Sequence, residues 1–162
     1  MKAYLERNRM TGKTWAFEDF VEGSSIDLGA KDVTAEEIIE FASEFDPQPM
    51  HLDEAAGNAS ILGGLSASGW HTCAMFMRLL CDAVLLDSTS QGAPGVDRIK
   101  WKKPVLAGDR LNGRTTVLAR RESKSRPSIG LVTLRSELFN QRAESVFELE
   151  NTAMFLKREA AA

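Results

Sequence analysis

The sequence changes its hydrophobic period once, and this change is the strongest constraint on the fold. After the turn-rich stretch from Ser88 to Gly95, apolar and polar residues alternate with the period of two that is typical of half-buried strands. The predicted strands cover residues 96–101, 110–121, 128–139 and 144–156, and residues 140–142 form a hairpin turn between the last two. The second half of the chain therefore predicts an antiparallel sheet.

A long apolar segment precedes the predicted strands. Residues Trp70 to Leu86 are rich in Ala, Met, Phe and Leu, but His71, Arg78 and Asp82 interrupt them. The uninterrupted apolar length falls short of the ~20 residues that a membrane span needs, so we predict a buried helix and no membrane partner. One long helix followed by an antiparallel sheet predicts an α+β fold in which the helix covers one face of the sheet.

A shorter helix is predicted before the long one. Thr34 and Glu37 form a capping box, and apolar residues then recur at helical spacing up to Phe45. Pro47 disfavours helical geometry at Asp46, so this helix should end near Phe45. Asp46 would then begin a connecting loop.

The 162 residues, of which 43% are hydrophobic and 27% charged, predict one globular domain over residues 1–162 with its core at about residues 26–156. Cys73 and Cys81 lie eight residues apart on the predicted helix, and about 12 Å of helical rise excludes a disulfide between them. Because the sequence shows no leader pattern, we expect a cytoplasmic protein. The absence of CxxC and HxxxH spacings predicts that there is no metal site.

The net charge of −3 is unevenly distributed. Residues 1–93 carry a net charge of −9, and residues 94–162 carry +6. The basic residues could fill the solvent side of the strands or bind an anionic partner. No aromatic RNA-binding motif or zinc-finger spacing accompanies them, so we expect no nucleic-acid partner. A phosphorylated small molecule stays a candidate ligand.

A single sheet covered by one main helix leaves its edge strands without hydrogen-bonding partners. Two copies of the chain could pair these edges or pack their helices together. We therefore expect a homodimer.

One proline-rich segment carries the most informative polar residues. Asp46 and His51 lie five residues apart, and Pro47 and Pro49 restrict the backbone of the loop between them. A carboxylate can orient an imidazole and leave its other ring nitrogen for a proton of water or substrate, so the pair could serve in acid–base catalysis. The same residues could instead form an ordinary turn before a helix that Asp53 caps.

A run of small residues from Gly63 to Gly69 leads into the long helix. An unpaired Gly64 N–H at the helix N-terminus could hold a carbonyl oxygen that becomes enolate-like, although small residues also serve close packing or a turn. Thr72 could reach the same pocket or bond a backbone carbonyl one turn earlier. His71, inside an apolar helix, is more typical of a hydrogen-bonded core residue than of a catalyst.

These segments are similar to a known family. The sequence Asp46-Pro-Gln-Pro-Met-His51-Leu-Asp53 resembles the D-x-N-P-x-H-x-D loop of MaoC-like dehydratases, which include (R)-specific enoyl-CoA hydratases. The segment from Gly63 to Thr72 resembles the start of their central helix, and Ile99 to Asp109 resembles the strand and turn that follow. The resemblance implies the hot-dog fold, in which an antiparallel sheet wraps a long central helix, and a dimer.

The resemblance also implies an activity, the reversible addition of water to a trans-2-enoyl thioester to give an (R)-3-hydroxyacyl thioester. Asp46 and His51 would bind and activate the water and return a proton to the α-carbon. The Gly64 N–H, with Gly63 beside it, would polarise the thioester carbonyl, and Thr72 would support the Asp46–His51 pair. The partner would be an acyl-CoA substrate, with no cofactor beyond the coenzyme A that the substrate carries.

The sequence departs from the family loop at one position, and two other functions stay open besides hydration. Gln48 stands where the family loop usually has Asn, so its hydrogen bonds at the site should shift by one methylene. A hot-dog thioesterase would use a carboxylate on or near the central helix, where only Asp82 is available. A non-catalytic acyl-CoA-binding module would bind the thioester without reaction.

Overall fold

The computed structural model describes residues 15–158, so the ends of the predicted domain, residues 1–14 and 159–162, lie outside the described residues. Its helices are α1 (Ala35–Phe45), α2 (Pro49–Leu52), α3 (Glu54–Ala59) and α4 (Gly69–Ala83). Its strands are β1 (Ser25–Asp32), β2 (Arg98–Trp101), β3 (Arg110–Glu122), β4 (Ile129–Phe139) and β5 (Ser145–Leu156). Short 3₁₀ turns lie at Phe17–Asp19 and Leu85–Asp87.

The five strands form one antiparallel sheet in the order β1-β3-β4-β5-β2. The four strands predicted from the period of two are confirmed, and their bounds differ from the prediction by two residues at most. The Asn140 side chain closes the β4–β5 turn by accepting hydrogen bonds from the N–H groups of Arg142 and Glu144. β1 and β2 are the edges of the sheet.

α4 packs against β1 and β3, which confirms the predicted buried helix. Its inward face carries residues at helical spacing that are all buried: Met75, Phe76, Leu79 and Leu80. Gly113 of β3 permits the close approach, because a Cβ at this position would lie 2.9 Å from Leu28 Cβ and 3.3 Å from Leu79 Cδ1. The long helix therefore covers one face of the sheet, as predicted.

Local sequence decides where α1 begins and ends. Thr34 Oγ1 accepts a hydrogen bond from the Glu37 N–H at 3.2 Å, which caps the first turn. The Asp46 N–H closes the last turn on the Ala42 carbonyl at 3.0 Å, and Pro47 follows directly. The helix therefore presents Asp46 at its C-terminal end, as the sequence predicts.

The connection after α1 differs in part from the prediction. Gln48 is extended, as expected before a proline, but Pro49 is the first residue of α2. Proline is favoured at this position because an N–H there would have no helical partner. His51 therefore lies on a single helical turn and not in an open loop.

Ion pairs use most of the positive charge of the second half within the described residues. Arg98 donates to Glu148 and Glu150, and Lys102 donates to Glu148. Further pairs join Lys103–Glu144, Arg110–Asp32, Arg114–Glu137, Arg135–Glu150 and Lys157–Glu122. These exposed pairs support the simpler of the two interpretations, in which basic side chains fill the solvent side of the strands.

Within residues 15–158, no helix combines the length and the apolar content needed to cross a membrane. Cys73 and Cys81 are both free thiols, as their spacing predicts.

Candidate functional site

A cavity of about 370 Å³ lies at the N-terminal end of α4, beside α2 and the ends of α1 and β2. Its polar lining is formed by Asp46, Gln48, His51, Ser66, Ser68 and Thr72, together with Lys102 and Lys103. Its apolar walls include Leu62, Ala67, Trp70, Trp101, Pro104 and Val105. The cavity can therefore hold a ligand that has an apolar part and one polar reacting group.

Asp46 is held in the cavity by hydrogen bonds to both carboxylate oxygens. Ser68 Oγ donates to Oδ2 at 2.6 Å, and Gln48 Nε2 donates to Oδ1 at 2.7 Å. The Ser68 hydrogen bond, followed by that of Gln48, lowers the pKa of Asp46, although desolvation acts in the opposite direction. When His51 is protonated, its charge makes a smaller contribution in the same direction. Asp46 is therefore held as an anion.

His51 is buried, with 6% of its surface exposed, and Ser66 holds its ring through the backbone carbonyl and, at 3.3 Å, through Oγ. Nδ1 lies 2.7 Å from the Ser66 carbonyl oxygen, which can only accept, so Nδ1 carries the proton in the neutral ring. Nε2 then has a free lone pair and faces Asp46 Oδ2 at 3.7 Å. The two groups that the sequence predicts as an acid–base pair thus converge on the same cavity.

The prediction of a free Gly64 amide at the start of the central helix is wrong. The Gly64 N–H donates to the Gly57 carbonyl at 3.2 Å, and α4 begins only at Gly69. Gly63 has a φ of +76° and serves a turn, while a Cβ at Gly57 would overlap the Gly64 backbone. The glycine pair therefore serves a turn and close backbone packing, the alternative that the sequence left open.

Gly69, and not Gly64, has the unpaired amide that the sequence predicts at the N-terminus of the long helix. It is the first residue of α4 and lines the cavity, and its N–H has no acceptor among residues 15–158. Ser68 caps the helix by accepting from the Trp70 N–H at 3.2 Å. A serine directly before an apolar helical run is an N-cap signal, and it would have identified both Ser68 and Gly69.

Thr72 lines the cavity, and its hydroxyl donates to the Ser68 carbonyl at 3.2 Å, one turn earlier. The support of Asp46 that was predicted for Thr72 comes instead from Ser68, for which the sequence analysis predicted no role. His71 stacks on Phe41, with ring centroids 4.7 Å apart, and does not line the cavity. Burial lowers the pKa of His71, which agrees with its interpretation as a core residue. The predicted hydrogen bond is wrong for Nδ1, which is buried and has no hydrogen-bond partner among the described residues.

Within residues 15–158, no group of three or more His, Cys, Asp or Glu side chains converges in a way that could hold a metal ion.

Comparisons with known proteins identify the family of the chain. Residues 20–137 match the family model described as the MaoC like domain. The solved structure of a MaoC-like dehydratase from Rhodospirillum rubrum is 42% identical and has a TM-score of 0.78; the match covers 89% of this chain and 98% of that one. YdeM from Bacillus subtilis is 28% identical over 141 residues, which are 87% of this chain and 98% of YdeM.

A third relative carries a name that describes its chemistry. The HadBC complex of Mycobacterium tuberculosis, a (3R)-hydroxyacyl-ACP dehydratase, contains a chain 26% identical to this one with a TM-score of 0.66. The match covers 83% of this chain and 96% of that chain. From the extent of the family match and the sheet order, we conclude that the chain belongs to the MaoC-like domain family and has the hot-dog fold.

Proposed function

We propose that this protein catalyses the reversible hydration of a trans-2-enoyl thioester to an (R)-3-hydroxyacyl thioester. The observation that supports this most directly is the arrangement of His51 Nε2, Asp46 and the Gly69 N–H around one cavity. Membership of the MaoC-like family supports hydro-lyase chemistry, and the dehydratase named for the HadBC complex supports a 3-hydroxyacyl product of (R) configuration.

Each group has one task in the proposed addition. A water molecule between His51 Nε2 and Asp46 Oδ2 gives a proton to His51 while its oxygen attacks Cβ of the enoyl group. The displaced electron pair moves to the thioester oxygen, where the Gly69 N–H stabilises the negative charge. The imidazolium, stabilised by ionised Asp46, then returns its proton to Cα. The net change adds H and OH across the double bond, with no electron gained or lost.

The proposed reaction also indicates what must bind in the cavity. The reaction is redox-neutral, so we propose no cofactor besides the coenzyme A that the thioester carries. The apolar walls formed by Leu62, Ala67 and Val105 are suited to the acyl chain. Gln48 takes part by holding Asp46, which is the role we assign to it in place of the usual asparagine.

We also propose that the protein acts as a homodimer in the cytoplasm. The edge strand β2 offers unpaired backbone groups, and Met77 and Trp70 expose apolar surface on the outer side of α4. A second copy could cover both features. Light scattering at micromolar concentration should give twice the mass of one chain, and a monomer would contradict this part of the proposal.

One assay separates hydration from the other two functions. Purified protein is mixed with crotonyl-CoA and longer enoyl-CoAs, and loss of enoyl absorbance is followed beside release of free thiol. Hydration removes the enoyl absorbance without releasing thiol. Thiol release would indicate a thioesterase, although Asp82 does not line the cavity and pairs with Arg78. Binding without either signal would indicate a non-catalytic module.

Ser68→Ala tests the electrostatic control of Asp46. Without the strongest hydrogen bond to the carboxylate, the pKa of Asp46 should rise towards its ordinary value. An ionised carboxylate with a lowered pKa stabilises the fold above the unfolded-state pKa, and this contribution disappears as the pH falls through the folded-state pKa. The destabilisation by Ser68→Ala should therefore be larger at neutral pH than in acid.

Carbon-13 NMR of the Asp46 carboxyl gives its pKa, and urea unfolding at neutral and acid pH gives the stability difference. Thr34→Ala serves as the control, because Thr34 caps α1 by the same kind of hydrogen bond but does not contact Asp46. Loss of either cap should cost about 1 kcal/mol. An unchanged pKa of Asp46 in Ser68→Ala would contradict the assignment.

A further inference from the structure

We propose that Trp101 is a positioning residue for the amide that binds the thioester carbonyl. The inference rests on the proposed function, because it assigns a role to the residue that holds Gly69 in place. Trp101 itself is not required to touch the reacting atoms.

The indole of Trp101 contacts Gly69 in two ways. Nε1 donates a hydrogen bond to the Gly69 carbonyl at 2.9 Å. The ring also fills the space beside the Gly69 Cα, because a Cβ there would lie 2.7 Å from Trp101 Cε2 and 2.9 Å from Nε1. Residue 69 is therefore held by a directional bond and by contact with a rigid ring.

The opposite side of the same turn is also held. Ser68 Oγ donates to Asp46 and accepts from the Trp70 N–H, so the residue before Gly69 is tied to the catalytic carboxylate. On the C-terminal side of Gly69, Trp101 Nε1 holds the Gly69 carbonyl oxygen by a hydrogen bond. Together, the two attachments restrict rotation of the peptide that carries the Gly69 N–H, and they do so in the first helical turn, where backbone amides lack helical partners.

Burial does not explain the position of Trp101. Its side chain is 48% exposed in the chain, so filling the core cannot be its main contribution. The backbone of Trp101 is nonetheless held in place, because it pairs across the sheet with Phe147 of β5, a fully buried residue. β2 therefore fixes Trp101 beside the N-terminus of α4. There, a well-oriented Gly69 N–H can stabilise the negative charge that develops on the thioester oxygen in the transition state.

Trp101→Phe is the test, because phenylalanine keeps an aromatic ring and removes the Nε1–H donor. Two quantities are measured: the carbonyl stretching frequency of bound butyryl-CoA labelled with carbon-13 at the thioester carbonyl, and kcat and KM with crotonyl-CoA. We expect the shift of the carbonyl band on binding to shrink. We also expect kcat to fall about 10-fold to 100-fold, with a smaller change in KM.

The control is Lys100→Ala, on the neighbouring position of β2, which is exposed and outside the cavity. It should leave the carbonyl band and both kinetic constants unchanged, and light scattering should show the same mass for both variants. If Trp101→Phe does not fold, Trp101→Leu replaces it, since leucine also lacks a donor.

The outcomes separate this inference from the proposed function. A wild-type carbonyl shift and wild-type kcat in the variant overturn the role of Trp101 and leave the hydratase proposal standing. The wild-type protein could fail to hydrate enoyl-CoA while its carbonyl shift is still lost in Trp101→Phe. That result supports the positioning role and overturns the hydratase proposal. A wild-type protein that binds butyryl-CoA with no carbonyl shift overturns the positioning role.

Discussion

His51→Asn is expected to lower kcat/KM for enoyl-CoA hydration by about 10²–10⁴-fold, the contribution typical of a general acid–base residue. Asparagine can still donate a hydrogen bond to the Ser66 carbonyl, the bond that His51 Nδ1 makes at 2.7 Å. It has no titratable lone pair in the place of Nε2. The substitution therefore removes the proposed proton acceptor and keeps the bond that holds the residue.

Loss of enoyl absorbance measures the rate, and circular dichroism confirms that the variant is folded. Asp46→Asn should show a loss of similar size, because Asp46 lies 3.7 Å from His51 Nε2 and supplies the compensating charge. Asp53→Asn is the matched control: it changes a nearby carboxylate that caps α3, a position where asparagine caps equally well. Wild-type rates in His51→Asn and Asp46→Asn would refute the assigned site.

Gly69→Ala is expected to lower kcat/KM by about 10²-fold, because a displacement near 1 Å at a reacting group can have an effect of this size. The added Cβ would meet the Trp101 ring at 2.7–3.0 Å, so the ring or the first turn of α4 must move. Alanine is a better helix former than glycine by about 1 kcal/mol, so poorer helix propensity cannot account for a loss of activity. The loss should appear mainly in kcat, as expected for a group that acts in the transition state.

Gly95→Ala is the matched control for this substitution. A Cβ at Gly95 would have no heavy atom within 4 Å, and Gly95 is not among the glycines with positive φ. It should keep full activity. Wild-type kcat in Gly69→Ala would remove the Gly69 N–H from the mechanism, whatever the outcome for His51.

The arrangement of helices and strands was predictable because it depends on local rules. The alternation along β3, β4 and β5 shows which side chains face the core, and this holds whatever element covers the sheet. The Thr34 cap and Pro47 define α1 through contacts within a few residues of each other. The nearness of the Asp46 and His51 side chains was predictable for a similar reason, since their separation in the sequence is short.

The free amide of Gly69, to which we assign the thioester carbonyl, was not predictable by the same means. Both Gly64 and Gly69 belong to a run of small residues, and only the partner of each N–H distinguishes them. The partner of the Gly64 N–H is Gly57, which the fold brings close by packing two backbones together. The N-cap preference of Ser68 was the one available signal, and it marks the helix start without saying what faces it.

Local signals in the sequence were enough to predict the succession of helices and strands, the end of α1 at Asp46 and the short separation between Asp46 and His51. Those features depend on backbone preferences and on side-chain periodicity, which act over a few neighbouring residues. The contacts by which Ser68 holds Asp46, Ser66 orients His51 and Trp101 meets Gly69 depend instead on the packing of distant segments. These contacts join residues 15 to 32 positions apart, and they exist because the fold brings the segment that leads into α4 beside the end of α1, beside α2 and beside β2.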